Sequence, residues 1–241
     1  ASGFSVCLVL SGLNLMQTWR WFWMIPKTPG ARGPSMINPL GVILAGGLAR
    51  RMGGGVKSLL SLGQVRVLDQ VITHLRVQLD HIVLNANGDP NRFSEFEMPV
   101  VPDTLDGFLG PLSGILAGLD YAAEHGFDRV ISVAADTPFF PNDLVAALQG
   151  ATAHMQTPIA LAATTDANGK VIRHPTFGLW SVALREDLRA ALQNGLRKVV
   201  MWTDLHDAQT HVFEAGEFDP FFNINTPEDL VLAQKIMEQI R

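Results

Sequence analysis

The sequence is poor in cysteine and has no excess of positive charge. Cys7 is the only cysteine among 241 residues, which excludes a disulfide framework and a cysteine-ligated zinc site. Its 18 lysines and arginines are outnumbered by 23 aspartates and glutamates, and the resulting net charge of -5 argues against a nucleic-acid binder, which usually presents a basic face. The histidines show no paired metal-ligand spacing. A reducing, cytoplasmic environment fits these features.

Long apolar runs are also missing. The apolar stretch 4–15 is shorter than the roughly 20 residues of a membrane-spanning helix, and no basic region precedes it as in a signal peptide. Residues 1–35 nevertheless differ from the rest, because they hold three of the five tryptophans and no acidic residue. Aromatic residues beside Arg20 would suit an anchor at a membrane surface. We favour instead an atypical, disordered or artefactual extension ahead of a translation start at Met36, and expect no membrane association.

Strand and helix signals alternate from Leu40 onwards. "LGVILA" (Leu40–Ala45) and "RVISVAA" (Arg129–Ala135) are continuous apolar runs, typical of strands buried on both faces. The alternation predicts one α/β domain over residues 36–241, with a mostly parallel, mixed sheet flanked by helices. Further strands are predicted at 81–86, 99–101, 158–164 and 174–182, and helices at 67–79, 110–124, 141–149, 184–193 and from 227.

Two local patterns refine the second half of this prediction. Asn168-Gly169 is a turn signal between two predicted strands. In "FFNIN" (221–225), Asn223 and Asn225 alternate with apolar residues, which predicts a strand with both amides on one buried face, where they would need polar partners. Thr226 is then expected to cap the final helix.

The stretch "GVILAGGLARRMGGGVK" (Gly41–Lys57) is unusually rich in glycine. Glycines let backbone N–H groups approach a ligand closely, and the loop leaves the end of the first strand, where open α/β sheets bind ligands. Arg51 and Lys57 add positive charge suited to a polyphosphate. Val56 stands where a P-loop needs glycine, and Ser58 interrupts a dinucleotide fingerprint. The alternative is a surface loop with solvated arginines.

Polar side chains follow other predicted strands. Asp136 comes directly after an apolar strand, where a carboxylate can hold Mg²⁺ beside a triphosphate; alternatively it caps the turn before Pro138. Asn85 ends the second strand, and its amide can read a base edge or a ribose, unless it is an ordinary turn asparagine. Asp103 follows the third strand and is a further candidate for contact with a ligand. The alternative is that it is a solvated charge in a loop.

The segment "LAGGLARRMGGGVKSLL" resembles the nucleotidyltransferase signature of the GT-A-like family, and within it the molybdenum cofactor guanylyltransferases (MobA family). The resemblance extends through separated motifs from about Leu40 to the C-terminus. It implies a Rossmann-like fold of the nucleotide-diphospho-sugar transferase type. The family usually has aspartate before the lysine, where this chain has Val56; the departure affects the hydrogen bonds that hold the loop, not the charge of Lys57.

This resemblance implies transfer of GMP from GTP to molybdenum–molybdopterin with release of pyrophosphate. It implies catalytic roles for Lys57, Arg51 and Asp136, with Mg²⁺ held by Asp136. His174, Asn223 and Asn225 would lie toward the pterin. The implied nucleotide-binding residues are Leu44, Ala45, Gly46, Gly47, Lys57, Asn85, Asp103, Gly110, Gly114 and Asp136. The expected protein is a monomer that meets molybdopterin-inserting proteins and acceptor molybdoenzymes.

Three alternatives stay open at this point. Sister cytidylyltransferases read L-A-A-G where this chain has Leu44 to Gly47, and the second glycine favours guanine by making room for a larger base. Sugar-phosphate nucleotidyltransferases share the first loop but fit the end of the chain less well. A non-catalytic GTP-binding regulatory module would explain Val56 as a sign of lost catalysis, and turnover distinguishes it from an enzyme.

Overall fold

The computed structural model describes residues 39–46, 59–107, 110–156 and 158–240. Within these ranges, strands and helices alternate as predicted. The strands are β1 (Leu40–Leu44), β2 (Ser61–Leu62), β3 (Val65–Arg66), β4 (Ile82–Asn85), β5 (Val100–Val101), β6 (Arg129–Ala134), β7 (Ile159–Thr165), β8 (Val171–Ser181) and β9 (Gln209–Val212). The α-helices are α1 (Val67–Arg76), α2 (Pro111–Glu124), α3 (Leu144–Ala151), α4 (Arg185–Gln193), α5 (Val199–Asp204) and α6 (Pro227–Gln239), and 3-10 turns occur at Pro90–Phe96 and Val182–Leu184.

Seven of these strands form one sheet in the order β5-β4-β1-β6-β8-β7-β9, and β2 pairs with β3 in a separate hairpin. β1 is parallel to β4 and β6, and β4 to β5, so these four strands end at the same edge of the sheet. β8 runs antiparallel to both of its neighbours. The predicted mostly parallel, mixed sheet is confirmed.

Helices cover both faces of this sheet, which explains the continuous apolar runs of β1 and β6. On β1, Ile43 packs into a cluster with α1 and α3, whereas Val42 packs into a second cluster with α2, α4 and α5. Every residue between Val130 and Ala134 is buried. A strand covered on both faces has no solvent side, so it shows no alternation of polar and apolar residues.

Helix α2 lies unusually close to the sheet because its inner face carries glycine. A Cβ atom on Gly118 would stand 2.6 Å from Val42 Cγ2, and one on Gly114 would overlap the Asn85 side chain and reach 2.9 Å from Leu44 Cδ2. Residues four apart lie on the same helix face. The two glycines therefore bring the first turns of α2 directly over the ends of β1 and β4.

A β-bulge interrupts β8 where the strand contains a proline. Leu161 pairs with Gly178 and the next residue, Ala162, pairs with His174, so residues 175–177 have no counterpart on β7. Proline cannot donate to a ladder and occurs inside sheets mainly at bulges. The Thr176 carbonyl oxygen instead accepts from the Ser132 hydroxyl at 2.8 Å.

Two predicted elements differ in the structure. Helix α3 begins at Leu144 rather than at residue 141, because the preceding residues form a turn and Gln78 supplies an acceptor to the Val145 N–H at 3.0 Å. Residues 222–225 form no strand, so that prediction was wrong: Phe221 and Ile224 are buried three residues apart, which is not the period of two that a strand requires.

Two turn and cap predictions can be checked at atomic detail. The turn at Asn168-Gly169 is confirmed, although it is a longer loop in which the Asp166 N–H donates to the Lys170 carbonyl and only Gly169 has positive φ. Thr226 caps α6, with its hydroxyl accepting from the Asp229 N–H at 3.2 Å. Among the described residues, no helix has the length and apolar character needed to cross a membrane.

The close contact of α2 with β1 gives a stability prediction. Gly118→Ala places a methyl group against Val42 in a packed core, and we expect the free energy of unfolding to fall by about 1–3 kcal/mol. Gly150→Ala is the matched control, because a Cβ there meets nothing within 4 Å and alanine is the better helix former, by about 0.5–1 kcal/mol. Urea unfolding of both variants measures the difference, and equal stability of the two would contradict the packing argument.

Candidate functional site

A cleft of about 370 Å³ opens at the edge of the sheet where β1, β4 and β6 end. Ligands of open α/β sheets bind at this edge, beside the strand where the chain order reverses. Seven of its ten lining residues are ones predicted from the sequence. The lining residues are Leu44, Gly46, Asn85, Asp103, Gly110, Pro111, Ala134, Asp136, Thr176 and Asn223.

A larger cavity of about 450 Å³ lies at the opposite edge, near the first residues of β1 and β4. Its walls include Leu40, Ile82, Tyr121 and His125. None of the predicted site residues lines this cavity. Size alone therefore does not identify the site, and the chemistry of the lining points to the cleft at the carboxyl ends of the strands.

One wall of the cleft contains a hydrogen-bonded group of two amides and a carboxylate. Asn85 Nδ2 donates to Asp103 Oδ1 at 3.0 Å and to the Val101 carbonyl oxygen at 3.1 Å. Asn87 Nδ2 donates to Asp103 Oδ2 at 2.9 Å, and Asn87 Oδ1 accepts from the Asp103 N–H at 2.9 Å. The loops that follow β4 and β5 are joined by these bonds.

Sequence reasoning missed Asn87, which it treated as part of a turn. The available signal was the repetition of asparagine in "NAN" at the end of β4, since residues two apart at a strand end share one side of the sheet. Arg92 fixes the same loop, because its guanidinium donates to the Asn87 carbonyl oxygen at 2.6 Å. Asn87 is thus held from both its side chain and its backbone.

Asp136 lies directly after β6 and is partly exposed in the cleft. Its carbonyl oxygen accepts from the Ile224 N–H at 2.9 Å, which joins the end of β6 to the segment before α6. That contact brings Asn223 to the cleft beside Asp136. The prediction that Asp136 stands at the carboxyl end of a central strand is confirmed.

Asn223 and Asn225 do not form the buried amide pair predicted from a strand. Asn223 is exposed and lines the cleft, whereas Asn225 is only half-buried and does not line it. The segment is irregular, so alternate residues need not share a face. Thr176 is the residue that the strand prediction missed; the proline before it was the available signal of a bulge.

His174 packs away from the lining of the cleft. Its ring stacks on Phe221 at a centroid distance of 4.2 Å, and its Nε2 lies 2.9 Å from Thr164 Oγ1. Burial lowers the pKa of His174 below its ordinary value, although Asp219 acts in the opposite direction. These contacts give His174 a structural role beside the bulge rather than a place among the cleft residues.

Other predicted residues divide into two groups. Ala45 and Gly114 are described but do not line the cleft; Gly114 provides the space that the Asn85 side chain occupies. Gly47, Arg51, Val56 and Lys57 lie outside the described residues. The role of the glycine-rich loop therefore stays a prediction.

Comparison with known proteins adds independent information. The profile of the MobA-like NTP transferase domain matches residues 41–209. The molybdenum cofactor guanylyltransferase of Bradyrhizobium sp. (strain ORS 278) is 50% identical over 199 residues, which cover 81% of this chain and 92% of the relative. That of Mesorhizobium japonicum is 43% identical over 205 residues, covering 83% and 96%.

A solved structure supports the same fold. Molybdopterin-guanine dinucleotide biosynthesis protein A from Archaeoglobus fulgidus has a TM-score of 0.61 and 22% identity, with 83% of this chain and 99% of that one covered. At this identity the similarity shows the arrangement of strands and helices.

The environment of His174 predicts a pH dependence of stability. Because its folded-state pKa is lowered, the unfolded chain takes up the proton first as the pH falls below about 6.5. Stability is therefore fully present above that pH and declines below it. His174→Gln should show a smaller loss of unfolding free energy between pH 7.5 and 5.5 than the unaltered protein. Exposed His154→Gln is the control, and identical slopes for all three proteins would refute the prediction.

Proposed function

The chain belongs to the molybdenum cofactor guanylyltransferases within the MobA-like NTP transferase family, and we propose that its cleft binds GTP and transfers GMP to molybdenum–molybdopterin. One observation supports this assignment most directly. Asn85 ends β4, Asp103 and Asp136 lie two residues after β5 and β6, and all three line a single cleft. The amide of Asn85 and the carboxylate of Asp103 suit a nucleoside. The carboxylate of Asp136 suits a metal ion bound to a triphosphate.

The nucleoside lies, in this proposal, between the ends of β1 and β4 and the start of α2. Gly46 and Gly110 line this part of the cleft without side chains, which lets a flat base approach the backbone. Gly110 has φ of +80°, a conformation that favours glycine, and it precedes the first turn of α2. Asn85 supplies a hydrogen-bonding group at the wall. Guanine offers both donors and an acceptor to such a group.

The triphosphate extends toward Asp136. We assign Arg51 and Lys57 to the phosphates from the sequence, because the glycine-rich loop leaves β1 beside the end of β6. A cationic group near the departing pyrophosphate stabilises the charge that develops there. Backbone N–H groups of the same loop add further donors.

The residues at the end of β6 fit a Mg²⁺ ion. Asp136 offers carboxylate oxygens at the cleft, and Thr176 and Asn223 add neutral oxygens to its lining. Mg²⁺ takes one or two carboxylates and completes its shell with phosphate oxygens and water. Within the described ranges no cluster of three metal-binding side chains occurs, which agrees with a site that the substrate completes. When bound, the ion would neutralise charge on phosphate oxygens.

The transfer needs no nucleophile from the protein. A terminal phosphate oxygen of the pterin attacks the α-phosphorus of GTP, the new P–O bond forms, and the bond to the β-phosphate oxygen breaks to release pyrophosphate. Both reacting groups are anionic, so the chain must hold them in line and offset their charge. Asn223 lines the cleft next to Ile224, whose N–H bonds to the Asp136 carbonyl, and it is our assignment for the pterin side.

Turnover measurements test which nucleotide the protein uses and whether it is catalytically active. Pyrophosphate release is measured with molybdenum–molybdopterin and with GTP, CTP or ATP in turn. We expect release with GTP and at least tenfold less with the other two. CTP as the better substrate would favour the cytidylyltransferase alternative, and tight GTP binding without pyrophosphate would favour the non-catalytic module.

Asp136→Asn tests the metal assignment. Removal of the carboxylate charge should lower guanylyl transfer about 10²–10³-fold, by analogy with loss of one charge-stabilising group in other enzymes. Asp143→Asn is the matched control, since Asp143 is exposed near the start of α3 and its side chain caps no backbone donor. Near-normal turnover of Asp136→Asn would remove Asp136 from the mechanism.

A further inference from the structure

The side-chain amide of Asn85 has a defined orientation in the cleft wall. Its nitrogen faces two acceptors, the Val101 carbonyl and the Asp103 carboxylate. An exchange of its oxygen and nitrogen would place the amide oxygen against both of these acceptors, so the arrangement is unambiguous. The orientation of the side chain is thus set by its partners rather than by packing alone.

The oxygen of this amide lies between the cleft and helix α2. Asn85 Oδ1 would stand 3.6 Å from a Cβ built on Gly46, which lines the cleft, and 2.2 Å from one built on Gly114 of α2. Among the described residues no donor is bonded to this oxygen. Asn85 is 2% exposed yet lines the cleft, so a bound molecule can supply a donor to this oxygen.

Asp103 is suited to this position because it can only accept. The nitrogens of Asn85 and Asn87 point at its two different oxygens, at 3.0 and 2.9 Å. A neutral amide at position 103 has one oxygen and one nitrogen, so one of the two asparagines would meet a donor. Each carboxylate oxygen thus accepts one amide hydrogen bond within the protein.

We propose that Asp103 and Asn87 are positioning residues, which orient Asn85 so that it presents only a hydrogen-bond acceptor to the nucleotide. This inference rests on the proposed function, since it assumes that the nucleotide occupies the cleft. It gives Asp103 this role in addition to the expected contact with the nucleoside. Asn87 does not line the cleft and acts through Asp103 alone.

A fixed acceptor selects a donor on the ligand. The Watson–Crick edge of guanine carries an N–H and an amino group side by side, and both are donors. If Asn85 could rotate, its nitrogen could instead donate to acceptors on the edge of a different base. The positioning pair therefore contributes to nucleotide selectivity as well as to affinity.

A swap of the two supporting groups tests the inference. Asp103→Asn places a donor against a donor, and Asn87→Asp places a carboxylate against a carboxylate, so each single change should raise the KM for GTP about tenfold with a smaller effect on kcat. In the double variant Asp103→Asn with Asn87→Asp, the new amide at 103 accepts from Asn85 and donates to position 87. This variant should return to within about threefold of the original KM.

The same experiment can overturn the inference. If the double variant folds with unchanged thermal stability but keeps the KM of Asp103→Asn, then the charge of Asp103 contacts the nucleotide directly. Unchanged KM in both single variants would also refute a positioning role. Asn194→Ala, at the exposed end of α4, is the control for loss of an asparagine side chain.

Hydrogen exchange separates failure of this inference from failure of the proposed function. The side-chain amide protons of Asn85 are followed by NMR in the protein without nucleotide. We expect slow exchange in the unaltered protein, fast exchange in Asp103→Asn and slow exchange again in the double variant. If the protein binds no GTP, the proposed function fails while this pattern still supports the fixed amide. Equal exchange rates of the Asn85 amide protons in all three proteins would overturn the inference that Asp103 and Asn87 orient Asn85.

Discussion

The contact between α2 and the ends of β1 and β4 is the constraint on which the cleft depends. Gly114 and Gly118 allow the helix to approach until a single added carbon would overlap its neighbours. That distance leaves Asn85 buried between helix and strand, and it sets the start of α2 at the mouth of the cleft. Because protein interiors are packed as densely as crystals, little adjustment is available at this contact. Side chains at the carboxyl edge are therefore held by backbone geometry.

Much of this arrangement could be predicted from the sequence. Continuous apolar runs identified β1 and β6, and polar residues at or after strand ends identified Asn85, Asp103 and Asp136 as candidate ligands. These inferences succeed because parallel strands end at one edge, so position along the chain converts directly into position in space. The cap at Thr226 is equally local. It depends on the side chains of two residues three positions apart, and no distant contact can change it.

Other features depend on contacts that no local pattern contains. The segment with Asn223 alternates like a strand, but the Ile224 N–H bonds to the Asp136 carbonyl and Phe221 is buried, so the chain bends to meet two distant partners. His174 was placed toward the pterin by the family resemblance alone. The bulge at 175–177 breaks the regular pairing, and the imidazole stacks on a phenylalanine instead. Asn87 had only a weak local signal, the asparagine repeat at the end of β4, because its partner Asp103 is 16 residues away on another loop.

The bulge in β8 also connects the cleft to a chromophore. The Trp180 indole N–H donates to Ser132 Oγ at 2.8 Å, and the same hydroxyl donates to the carbonyl of Thr176. Trp180 is fully buried, so this hydroxyl is its polar contact within the described part of the chain. A displacement of Thr176 by a bound molecule would alter the hydrogen bond of the indole. The fluorescence of a core tryptophan thereby becomes an optical reporter of events in the cleft, without any added label.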